Sequence, residues 1–327
     1  MSKTRVQLSF TLALVICLLA GLPSEAQQTT ATVVGNVTDT TGAVVVGAVV
    51  TLTNISTNTV RTTVTDGSGV YSIPQIPTGT YALSVESKGF QTAKVASLTV
   101  ETSQVARQDF QLASGSVTEV VTVQGSEAAA VLQTETGSVG EVIGAKKVED
   151  LPLNGRNFIQ LAQLIPGTNT GTSGSITVRR ARGAVGQSDA NGGSTAIQVN
   201  GQRDTQNRYS IDGIESMDYD AFTYSFSTSV DALAEFRVDT SSSGTDSGAA
   251  AGANVNQIIK SGTNSLHGTL FEFNRNDVFT QTYDAIAKVD SKPPRLNRNQ
   301  FGGNVGGPFV IPHLYNGHDR TFFFVNL

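Results

Sequence analysis

Tyr81-Ala82-Leu83-Ser84-Val85-Glu86 decides how the first part of this chain reads: Tyr81, Leu83 and Val85 fall on one face of an extended strand, and Ala82, Ser84 and Glu86 on the other. The same two-residue period runs outward from it. Thr32 to Thr38, Ala48 to Asn54, Thr59 to Thr65 and Val70 to Ile73 read as strands before it; Gln104 to Leu112 repeats the pattern after it, with Gln108, Phe110 and Leu112 on one side. Turns at Asp39 to Gly42, Asp66-Gly67-Ser68-Gly69 and Pro74 to Gly79 separate these strands. About seven short strands at this spacing form a small β-sandwich, which buries two apolar faces against each other.

Composition agrees with a mainly β chain. Of 327 residues, 33 are Gly and only 15% are charged, which leaves too few strong helix formers for an all-helical protein. The net charge is -5 with no basic block that would follow a phosphate backbone, so nucleic acid is not an expected partner. The single cysteine, Cys17, lies in an apolar N-terminal run and supplies no disulfide, zinc site or catalytic thiol. Residues 1-26 read as a signal peptide: Lys3 and Arg5 open it, Leu8 to Leu22 form the apolar run, and Ser24-Glu25-Ala26 sets cleavage after Ala26. That run is shorter than the ~20 residues a spanning helix needs.

Residues 27-113 resemble a known module. Val34-Gly35-Asn36-Val37-Thr38-Asp39, Gly47-Ala48-Val49-Val50-Thr51-Leu52, Thr65-Asp66-Gly67-Ser68-Gly69-Val70-Tyr71 and Pro77-Thr78-Gly79-Thr80-Tyr81 are similar to the carboxypeptidase regulatory-like domain. That family implies a transthyretin-like sandwich, also classed with carbohydrate-binding-like folds, and does not by itself define a function. Tyr71 and Tyr81 are candidates for stacking on a sugar, against the commoner role of packing in the sheet.

Residues 114-136 read as a linker carrying one apolar-rich patch, Val117 to Val123. This patch is either one more strand at the sandwich edge or an extended peptide ready to add to a partner's sheet. From Gly140 the chain turns to a mixed α+β unit. Lys146 to Leu151 reads as a short helix, and Asn157 caps a second one through Phe158, Leu161, Ala162 and Ile165, which Pro166-Gly167 ends. Strands follow at Ala196 to Val199, Tyr209 to Ile211, Phe236 to Thr240 and Val255 to Lys260, with turns at Asn200-Gly201 and Asp212-Gly213. The C-terminal segment is aromatic-rich. In Leu270-Phe271-Glu272-Phe273-Asn274, Phe271 and Phe273 share one face and Glu272 and Asn274 the other, the pattern of a barrel wall with the aromatics toward lipid and the polar residues toward water.

The ordered motifs after residue 136 resemble TonB-dependent outer-membrane receptors of the Oar-like group. They are Asp150-Leu151-Pro152-Leu153-Asn154-Gly155-Arg156-Asn157-Phe158, Val199-Asn200-Gly201-Gln202-Arg203, Ile211-Asp212-Gly213-Ile214, Glu235-Phe236-Arg237-Val238 and Ile259-Lys260-Ser261-Gly262-Thr263-Asn264. Asn299-Gln300-Phe301-Gly302-Gly303 and Asp319-Arg320-Thr321-Phe322-Phe323-Phe324 are similar to the first barrel strands of that group.

The resemblance implies a plug over residues 137-265, with Leu153, Asn154, Gly155, Arg156, Asn200, Gly201, Asp212 and Gly213 as its motif residues, and the start of a transmembrane β-barrel over 266-327. It implies outer-membrane location with the sandwich in the periplasm. It also implies energised uptake of a bulky solute, a glycan or a peptide, powered by a TonB-type energy-transducing complex. Glu119, Val120, Val121, Thr122 and Val123 become a TonB-box-like strand. Where the group often has a Gly-Arg pair before a double glycine, this chain reads Gly248-Ala249-Ala250-Ala251-Gly252-Ala253. A barrel of about 22 strands needs far more than the residues after 266, so the chain is expected to hold only its opening. The rival expectation is a secreted or periplasmic sandwich protein with a carbohydrate-binding or adhesive role.

Enzyme chemistry has little to stand on. The three histidines are His267, His313 and His318, and no His-Glu-x-x-His, Walker or Gly-x-Gly-x-x-Gly motif occurs, so no catalytic, metal or cofactor residues are expected. Asp212, Glu215, Asp218 and Asp220 cluster in one acidic loop without EF-hand spacing, and read as a solvated loop.

Overall fold

The computed structural model describes residues 30-115, 120-123, 139-151, 153, 156-170, 197-220, 222-226, 228-241, 250-276, 278, 282-284, 289-291 and 297-327. The signal-peptide reading, Glu119, Asn154, Gly155 and the alanine run at 249 lie outside these residues.

Two sheets make the N-terminal unit. One has β1 (Ala31–Asp39) at its centre, antiparallel to β4 (Val70–Ile76) on one side and parallel to β7 (Val105–Arg107) and β8 (Phe110–Leu112) on the other. The second runs β3 (Val60–Val64), β2 (Val49–Asn54), β5 (Gly79–Glu86), β6 (Thr92–Val100), β9 (Val120–Val123). Burial alternates along β1 and β5, and the inward set of Val33, Val37, Val50, Leu52, Leu83, Val85 and Val95 forms one apolar core. Strands β7 and β8 are separated at Gln108-Asp109, where the Gln108 carbonyl accepts a 2.6 Å hydrogen bond from the Tyr71 hydroxyl. Gly35 makes this possible, because a Cβ there would lie 1.9 Å from that carbonyl oxygen and 2.7 Å from the Tyr71 ring.

The middle unit is built on the sheet β10 (Val139–Gly144), β17 (Leu233–Ser241), β18 (Asn254–Ile259), β13 (Arg208–Ile211), β14 (Ile214–Glu215). Helix α1 (Ala145–Asp150) and a 3-10 helix, Phe158–Leu164, cover it. Asn157 caps the latter as expected, its side chain accepting from the Ile159 N–H. The cap is followed by 3-10 rather than α geometry. Small hairpins β11 (Thr168–Thr170) with β12 (Ile197–Val199), and β15 (Met217–Asp218) with β16 (Thr223–Tyr224), complete the unit. Phe158, Leu161, Tyr209, Tyr224, Leu233 and Phe236 fill its core.

The C-terminal unit is an antiparallel sheet of β19 (His267–Asn276), β22 (Asn297–Pro308) and β25 (Phe322–Asn326). Two small hairpins, β20 (Thr282–Asp284) with β21 (Val289–Ser291) and β23 (Val310–Ile311) with β24 (Tyr315–Asn316), decorate its connections. Gly302 and Gly303 face Phe271 and Leu270 across the ladder, and those side chains occupy the space a Cβ would need, 2.7 and 2.5 Å away. Among the described residues no helix is long and apolar enough to cross a membrane, which says nothing about crossing by strands.

Candidate functional site

Three contacts between units bear on function. The first joins the middle unit to the C-terminal sheet. Arg156 sits at φ 54°, a left-handed conformation an arginine keeps only where its surroundings hold it. Its guanidinium ion-pairs with the largely buried Asp231, which also accepts from the Ser229 hydroxyl. The same guanidinium lies 4.9 Å from the Phe271 ring centroid and 4.4 Å from that of Phe273, the two rings being 5.7 Å apart. One cation thus satisfies a carboxylate on its own unit and two aromatic faces on the next. Asn304 of β22 adds a neutral link, donating to the Asp231 carbonyl at 3.2 Å and to the Thr269 hydroxyl at 2.7 Å. A cleft of about 580 Å³ opens beside Arg156, with Glu149 and Asp150 on one wall and Arg275 and Arg298 on the other.

This corrects the expectation for β19. The alternation is as read, but the sides are exchanged: the Phe271 and Phe273 face meets the middle unit, and the face of Leu270 and Glu272 points outward. Leu270 is 93% exposed, and Phe301, Val325 and Leu327 are exposed with it. Both rings face Arg156, with Phe273 still 47% exposed.

The second contact joins the sandwich to the middle unit. Thr102, in the turn after β6, is fully buried; its N–H donates to the Glu235 carboxylate at 3.1 Å and its carbonyl accepts from the Arg237 guanidinium at 2.7 Å. Arg237, 2% exposed, is paired with Asp239 at 2.8 Å. Burial pushes the Glu235 carboxyl up to about 7, with Glu101 adding to the rise while the Thr102 N–H and Arg237 oppose it. Burial also raises Glu101, against Arg237 and Lys147. The sandwich reaches the C-terminal sheet too. Asn58 and Asn264 both donate to the Asp319 carboxylate, at 2.9 and 2.7 Å, and the Asn264 N–H donates to the Ser56 carbonyl.

The third contact is β9. Val120, Val121, Thr122 and Val123 pair in parallel with Thr92, Ala93, Lys94 and Val95 of β6, so these four residues form one more strand at the edge of the sandwich sheet, the first of the two readings of the patch.

The remaining predicted residues separate into turns and core. Leu153 is half-buried against the core of the middle unit. Asn200-Gly201 and Asp212-Gly213 both adopt paired positive φ, 51° and 76° in one and 49° and 81° in the other; the second closes the two-residue β13–β14 hairpin. Asn200 donates to the Thr240 carbonyl, and Asp212 accepts from the Ile259 N–H, which ties both turns to β17 and β18. Burial raises the Asp212 carboxyl. The acidic loop disperses its charges, with Glu215 on Arg208 and Tyr219, and Asp218 on the Asp220 N–H. Among the described residues no three His, Cys, Asp or Glu side chains converge.

Tyr71 and Tyr81 are the second correction. At 1% and 4% exposure they belong to the sandwich core, with hydroxyls bonded to the Gln108 and Pro77 carbonyls, so neither ring presents a face to a sugar. Thr102 and Asp231 gave no signal in the sequence. Glu235 and Arg237 stood inside a quoted motif, but nothing there pointed to Thr102.

The C-terminal antiparallel sheet thus meets the middle unit on one face and exposes Leu270, Phe301, Val325 and Leu327, with Glu272, on the other. Residues 258–327 match the outer membrane beta barrel domain, and residues 32–113 match the carboxypeptidase regulatory-like domain. The chain is 25% identical over 304 residues, 91% of its length, to the TonB-dependent transporter Oar of Myxococcus xanthus. It spans 27% of that relative. Among solved structures it is similar to the siderophore receptor PirA from Acinetobacter baumannii, at 23% identity and TM-score 0.37, over 52% of this chain and 22% of that one. It is likewise similar to the outer membrane transporter YddB from Escherichia coli, at 15% identity and TM-score 0.38, over 51% and 24%. The chain is thus similar to a TonB-dependent transporter of the Oar type, and its barrel-domain match supports location in the outer membrane. The relatives named are transporters and receptors rather than enzymes.

Proposed function

We propose that this chain supplies the periplasmic sandwich, the plug and the first wall strands of a TonB-dependent transporter that takes up a bulky solute. The observation that carries this reading is Arg156, which fixes the plug to the inner face of an apolar-outward sheet. A plug held to the wall by two ring faces over Arg156 and by the Asn304 hydrogen bond to Asp231 is anchored yet releasable, since these contacts are few compared with those of a core. Residues 119-123 are the TonB-box-like segment. The partner is a TonB-type energy-transducing complex, which pairs with this segment and draws on the plug through β10, the edge strand of the plug sheet.

The test is a calorimetric titration of the full chain with the TonB C-terminal domain. Val121→Pro removes a ladder N–H and weakens binding at least fivefold. Unchanged affinity sinks the assignment of the segment. The rival soluble carbohydrate-binding reading loses its support with the burial of Tyr71 and Tyr81. Carbonate-resistant recovery in the outer-membrane fraction supports the transporter reading, and recovery as a soluble periplasmic protein goes against it.

A further inference from the structure

Strand β6 has two neighbours with different tasks. Its first half, Thr92 to Val95, holds β9 through a four-residue parallel ladder. Its far end runs into the turn whose Thr102 is clamped between Glu235 and Arg237 of β17. At the opposite edge of the same sheet, the β2–β3 turn is tied to the start of the wall through Ser56 and Asn58. The sandwich is therefore fastened to the plug and to the wall at two separate points.

β9 stands last in its sheet. One of its backbone edges is used by β6, and among the described residues no strand pairs with the other. An extended strand with one satisfied edge and one open edge is a template for strand addition. Its conformational freedom has already been given up to β6, so a partner adding to the open edge loses less entropy than one capturing a loose peptide.

We propose that the sandwich presents the TonB-box-like segment as a docked strand, and that the transducing partner adds its own sheet edge to the outer side of β9 while β9 remains on β6. This rests on reading 119-123 as the segment the partner captures, and it adds to that reading where and in what state capture occurs. The sandwich is then an adaptor: its bolts at Thr102 and at Ser56/Asn58 keep the open edge at a set place beneath the plug.

The experiment locks β9 in place. In a full chain carrying Cys17→Ser, Lys94→Cys and Thr122→Cys introduce a disulfide across two residues that are partners in the β6–β9 register. The oxidised and reduced chains are titrated with the TonB C-terminal domain, with and without Val121→Pro. Presentation predicts that the oxidised chain binds within threefold of the reduced one, and that Val121→Pro weakens the oxidised chain at least fivefold. Two results overturn it. One is binding lost on oxidation and restored by reductant, which means the strand must leave β6 first. The other is a disulfide that does not form, which means β9 is not held there. If Val121→Pro changes neither chain, the segment assignment itself fails, and that outcome is distinct from both.

Discussion

The sandwich and the C-terminal sheet obey the same two-residue period with opposite outcomes. In the sandwich the apolar set of β5, Tyr81, Leu83 and Val85, points into a closed core, and Ala82 and Ser84 face out. In the C-terminal sheet Leu270, Phe301, Val325 and Leu327 point away from the protein, while Thr269, Asn304 and the Arg156-covered rings face the plug. The difference lies in the solvent each strand expects. Water outside drives apolar side chains together, whereas hydrocarbon outside leaves them no reason to turn in and leaves polar ones a strong reason to. The middle unit between them is a third case. Its sheet buries Gln257 completely, and both amide atoms meet no hydrogen-bond partner among the described residues.

The comparison breaks most sharply at matched leucines. Leu83→Ala should destabilise the sandwich by ~2-5 kcal/mol in a denaturant titration of the full chain, through lost contacts and a residual cavity. Leu270→Ala should leave the same transition unchanged. Leu270→Lys should cost ~2-4 kcal/mol in a bilayer, read as reduced carbonate-resistant membrane recovery with the sandwich transition intact. For the plug, Gln257→Met should raise stability by about 1-3 kcal/mol, because it removes an unpartnered buried amide at nearly constant volume. Arg156→Lys retains the charge on Asp231 but loses the flat guanidinium over Phe271 and Phe273, and should weaken the plug–wall contact by about 0.5-1 kcal/mol.

A separate effect concerns pH. The Glu235 carboxyl rises from 4.5 to about 7 when buried against Thr102, so the docked form keeps a proton that the separated form has lost. That contribution is fully present below pH 4.5 and is lost as the pH climbs through 7. The melting temperature of the sandwich–plug contact should fall across this window, and Glu235→Gln should flatten the profile.

Strand positions were legible wherever one face was buried: β1, β2, β5, β17 and β18 begin and end within a few residues of the pattern read from the text. The Asn200-Gly201 and Asp212-Gly213 turns were legible because their positive φ angles favour Asn, Asp and Gly. Tyr71 and Tyr81 were not, since a strand aromatic bears no mark of which way its sheet is covered. Nor was the direction of Phe271 and Phe273 legible. Alternation shows that two residues share a face, but what that face meets depends on Arg156, 115 positions before Phe271.

By itself the sequence determined most strand positions, the turns and the family resemblance, because these depend on local period, turn chemistry and short motifs in series. The tertiary structure alone decided where the single cation of Arg156 is satisfied, that Thr102 is the peptide clamped by Glu235 and Arg237, and that Val120–Val123 docks on β6. Each of these depends on residues far apart in the chain meeting in space. A charge, a peptide group or a strand edge has many equivalent partners in a sequence, and only packing chooses among them.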